Sequence, residues 1–281
     1  MTFTTRFAPS PTGQLHLGHA YSALLAYDMA QAANGRFLLR IEDTDTARST
    51  KAFETQIYDD LTWLGLRWDG QVLRQSENTS SYEDALERLA SQGLLYPCAC
   101  TRGDIRNAMS APQEGAPLHG PDGLIYPATC RHRPWSDRND RDAVRLDMRK
   151  AVELLPELPR YADSGTQPAI TLTPHLLIQD VGDVVLARRD TQMAAYHLSV
   201  VVDDAAQGIT HVIRGEDLAS ATPIHVLLQA LLGLPTPAYH HHTLIRDAAG
   251  KRLAKRDDSR AIAAYRADGK TPTDLRAMVG L

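Results

Sequence analysis

The sequence predicts an α/β protein built on a parallel sheet, with an insertion dividing the sheet into two halves. Three observations carry this. The chain opens as strand, loop, helix and strand; a Pro- and Gly-rich stretch breaks the pattern near residue 107; and apolar strand-like runs return after it.

Taken in order, Thr4 to Ala8 reads as a short strand and Pro9-Ser10-Pro11-Thr12-Gly13 as a loop. A helical pattern runs from about Gly18 to Ala33, with Tyr21, Leu24, Leu25 and Tyr27 mostly on one side, and Asn34-Gly35 stops it. Arg36 to Ile41 is a second strand, ending in the acidic turn Glu42-Asp43-Thr44-Asp45. The first loop thus sits at the carboxyl end of a strand, where open α/β sheets bind ligands. A helix is expected over Ser81 to Gln92, with Ser80 and Glu83 as a capping box and Gly93 as its stop. Residues 107 to 123 read as an irregular loop, 176 to 187 and 197 to 203 as strands, and Pro223 to Leu232 as a helix. Thr243 to Ile245 is strand-like, and His240-His241-His242 is expected at a strand edge. The resulting division is 1–95 for the first half of the sheet, 96–190 for the insertion and 191–245 for the second half. A lysine-bearing loop and short helical segment fill 246–281.

Composition fits a globular protein, with 43% hydrophobic and 23% charged residues. A net charge of −4 argues against a partner held by bulk positive charge. It leaves local basic faces at Arg131-His132-Arg133 with Arg138 and Arg141, at Arg188-Arg189, and at Lys251 to Arg256. The amino terminus lacks a signal-peptide pattern, and no run approaches the ~18 apolar residues of a membrane span. A cytoplasmic location with no membrane partner is therefore expected.

The chemistry concentrates first at His16-Leu17-Gly18-His19. A helix start presents unpaired N–H groups and partial positive charge, so it seats phosphates. Two imidazole donors there would stabilise charge building at an α-phosphate, and Gly18 would let a base or ribose approach. Far downstream, Lys251-Arg252-Leu253-Ala254-Lys255-Arg256 offers lysines on a polar loop able to follow departing pyrophosphate.

With one such signature at each end, the chain resembles the class I aminoacyl-tRNA synthetases. The first is similar to their HIGH motif, and Arg252 to Arg256 stands in the place of their KMSKS loop, with Ala254 replacing its serine. The resemblance implies a Rossmann-type catalytic core, ATP as substrate with Mg²⁺, and His16, Gly18, His19 and Lys255 as ATP-binding residues. His16, His19 and Lys255 would be catalytic. Arg6 to Gly13, Arg40 to Asp45, Tyr196-His197-Leu198 with Val201 to Asp204, and Val212 to Asp217 resemble blocks of the glutamyl/glutaminyl branch, in that branch's order. By that resemblance Arg6, Phe7, Ala8, Pro9, Ser10, Tyr196 and Arg214 contact glutamate, with Glu42 taking its ammonium. An arginine at 214 suits a carboxylate better than the neutral amide of glutamine. Val200 stands where glutamate enzymes commonly carry asparagine. The substrate carboxylate is ionised above a pKa of ~4, so it can attack without a base.

The three cysteines, Cys98, Cys100 and Cys130, form one cluster, with Cys98 and Cys100 expected as a hairpin-like pair. Such thiolates suit a structural zinc, which takes four ligands. Tyr126 is the fourth ligand by resemblance to short members of the glutamate branch, whereas His119 or His132 would be more usual chemically.

Only 25 residues follow Arg256, which leaves no room for the anticodon-binding portion of the larger relatives. The resemblance to the short members implies tRNA-independent activation of glutamate, then its transfer to queuosine at the wobble position of tRNA(Asp). The implied partner is the anticodon stem-loop, met by a monomer. The alternatives are a truncated glutamyl-tRNA synthetase charging a tRNA 3′ end and a non-catalytic tRNA-binding paralogue.

Overall fold

Thr4 to Phe7, the first strand (β1), are all buried, so β1 is covered on both faces, as parallel sheets require. Helix α1 (Leu17–Ala32) follows, then β2 (Arg36–Ile41), which pairs with β1 in parallel, Thr4 opposite Arg36 and Phe7 opposite Leu39. The computed structural model describes residues 2–109, 119–165, 167–245 and 260–281. The lysine-bearing loop, with Lys251, Ala254 and Lys255, lies outside the described residues, as does 110–118.

The turn between α1 and β2 follows the sequence reading. Asn34 takes the left-handed conformation at φ 48°, and a Cβ on Gly35 would stand 2.3 Å from the Phe3 carbonyl oxygen. No side chain fits there. The contact face of α1 differs from expectation. Of Tyr21, Leu24, Leu25 and Tyr27 only Leu24 is fully buried, and Ala20, Ala23, Ala26 and Ala30 make the seam. Small residues let the helix lie close on the sheet, which a search for large apolar residues overlooks.

Helix α2 (Lys51–Trp63), β3 (Leu73–Arg74) and α3 (Thr79–Ser91) come next, β3 extending the sheet from β2 in parallel. The Ser80–Glu83 capping box does not form. The helix begins two residues earlier, after Asn78, whose side chain donates to Asp203 Oδ1 at 2.8 Å and makes no capping bond.

Residues 96–190 contain two kinds of strand. Between β4 (Leu95–Cys98) and β7 (Ala143–Leu146) lie α4 (Arg102–Met109), β5 (His119–Gly120) and β6 (Gly123–Leu124). After β7 come α5 (Met148–Leu154), β8 (Arg160–Asp163), β9 (Gln167–Thr171) and β10 (Val185–Ala187). Strands β10, β7 and β4 form an antiparallel sheet, and β5 pairs with β6. Strands β8 and β9 instead join the second half of the chain. There α6 (Tyr196–Ala206), β11 (His211–Gly215), α7 (Thr222–Leu231) and β12 (Ala238–His242) complete a sheet in the order β11-β12-β8-β9. Just ahead of β11, the Thr210 N–H donates to the Thr4 carbonyl at 2.9 Å, so β11 lies beside β1. Helices α8 (Ile262–Ala267) and α9 (Pro272–Val279) close the chain, α9 tied to α1 by Arg276 on Asp28 at 2.7 and 2.9 Å.

Three expectations change. Leu176–Val181 is a π-helical turn ended by Gly182 at φ 71°, and only Val185–Ala187 is strand. Residues 197 to 203 are helical within α6. Its faces are nearly all buried, so the run Val200-Val201-Val202 carries no helical polarity to read. Strand β12 lies between β11 and β8, so His240 to His242 are interior to the sheet, and Thr243 to Ile245 lie beyond its end. Among the described residues, no helix is long and apolar enough to cross a membrane.

Candidate active site

The carboxyl ends of β1, β2 and β11 and the start of α1 enclose a cleft of about 590 Å³. Arg6, Phe7, Ala8, Ser10, His16, Gly18, His19, Glu42, Tyr196 and Arg214 all line it. Pro9 does not. Its carbonyl accepts from the Glu42 N–H at 3.1 Å and holds the end of β2 against the first loop.

At the start of α1 the two histidines cap the helix reciprocally. The Gly18 N–H donates to His16 Nδ1 at 3.1 Å, and the His16 N–H donates to His19 Nδ1 at 3.2 Å. With Nδ1 accepting, each neutral ring carries its proton on Nε2. The rings lie 3.8 Å apart between centroids. Gly18 serves this cap. A Cβ there would stand 3.1 Å from His16 Cε1 and 3.2 Å from Nδ1, so a side chain would press on the ring.

The opposite wall is ionic. Arg6 on β1 donates through Nε to Asp204 Oδ1 at 2.9 Å, and Arg40 on β2 donates to the same oxygen at 2.7 Å. Burial would raise the Asp204 carboxyl, but Arg6 and Arg40 outweigh it and hold the group below its ordinary range. Arg40 is fully buried; burial works against its charge, and Asp204, Glu42 and Asp203 more than restore it. Glu42, with its side chain 12% exposed, stands 3.5 Å from Arg40 Nη2. Burial raises its carboxyl above the usual value despite Arg40 and Arg6.

Arg214 on β11 is buried, and its hydrogen-bond partners among the described residues are neutral: His241, His225, Thr222, the Leu218 carbonyl and, at 3.4 Å, the Tyr196 hydroxyl. Among the described residues no carboxylate lies within ion-pair distance of it. Val200, on α6, is buried in the core and does not line the cleft.

Sequence reasoning missed Tyr21, Ser22, Asp217 and His242, which also line the cleft. Ser22 Oγ lies 2.7 Å from His242 Nε2, and Tyr21 meets the same ring edge-on at 4.7 Å. Helical spacing could have found two of them, since Tyr21 and Ser22 lie three and four places after Gly18.

A second cluster lies at the end of β4. The Sγ atoms of Cys98, Cys100 and Cys130 lie within 4.8 Å of one another. Cys98 ends a strand and Cys100 precedes α4, so they form no hairpin. The Tyr126 hydroxyl is 3.3 Å from both Cys98 Sγ and Cys100 Sγ, and the Cys130 N–H donates to it at 2.9 Å. Among the described residues, neither His119 nor His132 joins the group. Three sulfurs and a phenol converging in a small space match the donor number and softness of a zinc site.

The description "tRNA synthetases class I (E and Q), catalytic domain" matches residues 2–281. A glutamyl-Q tRNA(Asp) synthetase of Rhodobacter capsulatus is 58% identical over 99% of both chains. That of Nocardia farcinica is 43% identical, over 98% of this chain and 82% of its own. The structure of a glutamate tRNA ligase from Elizabethkingia meningosepticum in complex with its amino acid aligns with a TM-score of 0.79 at 28% identity. It is matched over the whole of this chain, which spans 61% of that protein's length.

Proposed function

Since the chain belongs to the family of class I tRNA synthetases for glutamate and glutamine, we propose that it activates glutamate with ATP and transfers it to the queuosine of tRNA(Asp). The observation that carries this is the gathering, in one cleft, of a helix start capped by two histidines, a carboxylate and an arginine left for a substrate's charge. The acceptor is supported by the 58% identity to the Rhodobacter protein over 99% of both chains.

The geometry supports the following roles. Arg214 pairs with the side-chain carboxylate of glutamate and Tyr196 braces it, while Glu42 receives the ammonium. Arg6 and Ser10 orient the α-carboxylate. One of its oxygens attacks the α-phosphorus of ATP, forming the mixed anhydride and releasing pyrophosphate with the electrons of the broken P–O bond. His16 and His19 donate through Nε2–H to phosphate oxygens, where negative charge builds in the transition state. Activation without tRNA is implied by the likeness to the glutamyl-Q tRNA(Asp) synthetases. A hydroxyl of queuosine's cyclopentene-diol then attacks the anhydride carbonyl and AMP departs. Mg²⁺ accompanies ATP, and Lys255 is assigned to the phosphates by its position in the sequence alone.

The anticodon stem-loop approaches the open cleft of a monomer. Cys98, Cys100, Tyr126 and Cys130 would hold a structural zinc, pinning the segment between β4 and β7. Stoichiometric zinc in purified protein, lost with Tyr126→Phe or Cys130→Ser, checks that assignment.

The test of function is to incubate the protein with ATP, labelled glutamate and tRNA, then map the label. Label on the wobble nucleotide of queuosine-containing tRNA(Asp), and none on queuosine-free tRNA(Asp), is the expected result. Label on the 3′ end of tRNA(Glu) would overturn it.

A further inference from the structure

Behind the cleft, Arg214 is held by two histidines that do not themselves line it. We propose that Asp163 with His241, and His197 with His225, are positioning residues that fix Arg214 as an uncompensated cation and thereby set the preference for glutamate over glutamine. This rests on the reading of Arg214 as the glutamate side-chain partner.

The argument starts from the guanidinium, which can only donate. Arg214 Nε is 3.1 Å from His241 Nε2, so Nε2 must accept and the His241 proton sits on Nδ1. Nδ1 is 2.6 Å from Asp163 Oδ2, which takes that proton as a hydrogen bond. On the other side, Arg214 Nη1 is 3.2 Å from His225 Nδ1, so His225 is protonated on Nε2. That nitrogen lies 3.1 Å from His197 Nδ1, which must therefore accept, leaving the His197 proton on Nε2 at 3.4 Å from Asp122 Oδ1. Two branches leave the cation, one through the single imidazole of His241 and one through His225 and His197, and each ends on a carboxylate. Burial holds His225 and His241 below the ordinary histidine range, so both stay neutral acceptors.

The device separates orientation from charge. A carboxylate directly on Arg214 would fix its plane equally well but would neutralise it. Neutral imidazoles fix the plane through the same N–H groups and leave the full charge for the ligand. A side-chain carboxylate completes the ion pair; an amide does not.

Asp163 makes this testable. Its Oδ1 accepts from the backbone N–H groups of Gly165 at 3.1 Å and His241 at 3.2 Å. In Asp163→Asn those two donors hold the amide oxygen at the Oδ1 position, so the NH₂ faces His241 Nδ1. The imidazole must then move its proton to Nε2, where it meets the Arg214 Nε–H, donor against donor.

The experiment is glutamate-dependent ATP–pyrophosphate exchange with the intact protein, varying glutamate, glutamine and ATP in turn. Asp163→Asn should raise the glutamate KM at least about tenfold and lower the glutamate-over-glutamine ratio of kcat/KM by a similar factor, with the ATP KM within about threefold. If that variant does not fold, the His225 pair decides. His225→Leu, which removes the acceptor, should raise the glutamate KM about tenfold, whereas His225→Asn, whose Oδ1 replaces Nδ1, should stay within about threefold of wild type. A folded Asp163→Asn with wild-type glutamate KM, or equal effects of His225→Leu and His225→Asn, would overturn the inference while leaving the function intact. Wild-type protein with no glutamate-dependent exchange would overturn the function itself, and this role with it.

Discussion

Glu42 is the residue in which charge, burial and substrate chemistry meet most directly. It follows β2, its backbone is fixed by Pro9, and Arg40 Nη2 stands 3.5 Å away. Glu42→Gln keeps the shape and removes the charge that a substrate ammonium needs. A charge-assisted hydrogen bond is worth about 1.5–3 kcal/mol, so the glutamate KM in pyrophosphate exchange should rise about tenfold or more. There is also a sign to the pH dependence. Burial raises the Glu42 carboxyl, so below its folded value the group is neutral and binds ammonium poorly. The wild-type glutamate KM should therefore fall as pH rises through that value, and the Gln variant should not show this fall. A parallel pH profile in both proteins would remove Glu42 from the ammonium site. His16 and His19 were readable from the helix start they flank, and Arg6, Glu42, Tyr196 and Arg214 through the short blocks that resemble the glutamate branch. His242 was not, because it reaches the cleft only through the pairing of β12 with β11. The histidines behind Arg214 were hidden for the same reason, since residues 225 and 241 meet only through tertiary packing.

At the scale of elements, α2 carries a carboxylate that the site does not use. Asp60 is 3% exposed, and its Oδ2 has no hydrogen-bond partner among the described residues. Burial, with Asp59 adding repulsion and Arg266 offsetting part of it, raises Asp60 from 3.8 to about 6. A folded pKa above the unfolded one means the favourable contribution is complete below about 3.8 and is lost as pH rises through about 6. Two pH units correspond to roughly 2–3 kcal/mol. Asp60→Asn should therefore be more stable than wild type at pH 8 in urea denaturation, by up to that amount, with the difference shrinking toward pH 4. A pH-independent difference would mean the carboxyl is solvated. Elements were legible where local signals agreed, as in the Asn34-Gly35 stop of α1. They were illegible where burial on all sides erased periodicity, as in α6, or where a side chain was recruited elsewhere. Asn78, held by Asp203, shows the second case at the start of α3.

The whole molecule is joined across its sequence by the adjacent carboxylates of α6. Asp203 accepts from Gln75 at 2.8 Å, Asn78 at 2.8 Å and Tyr82 at 2.9 Å, which ties α6 to the start of α3. Asp204 takes Arg6 and Arg40, which ties α6 to β1 and β2. Two arginines from the first forty residues thus share one carboxylate from the second half of the chain. Burying such a group costs solvation, and the network returns that cost only while every member is present. Asp204→Asn would leave two buried guanidinium groups facing a neutral amide, and removing one member of a buried ion pair typically costs about 3–5 kcal/mol. If the two halves fold as one cooperative unit, the urea midpoint should fall with a single transition and an unchanged slope. A transition split in two would instead show that the halves are stable apart and that the pair only docks them. The cleft lies along this join, so the same variant should also raise the glutamate KM through Arg6, and a stability loss without that rise would separate the scaffold role of Asp204 from its effect on the site.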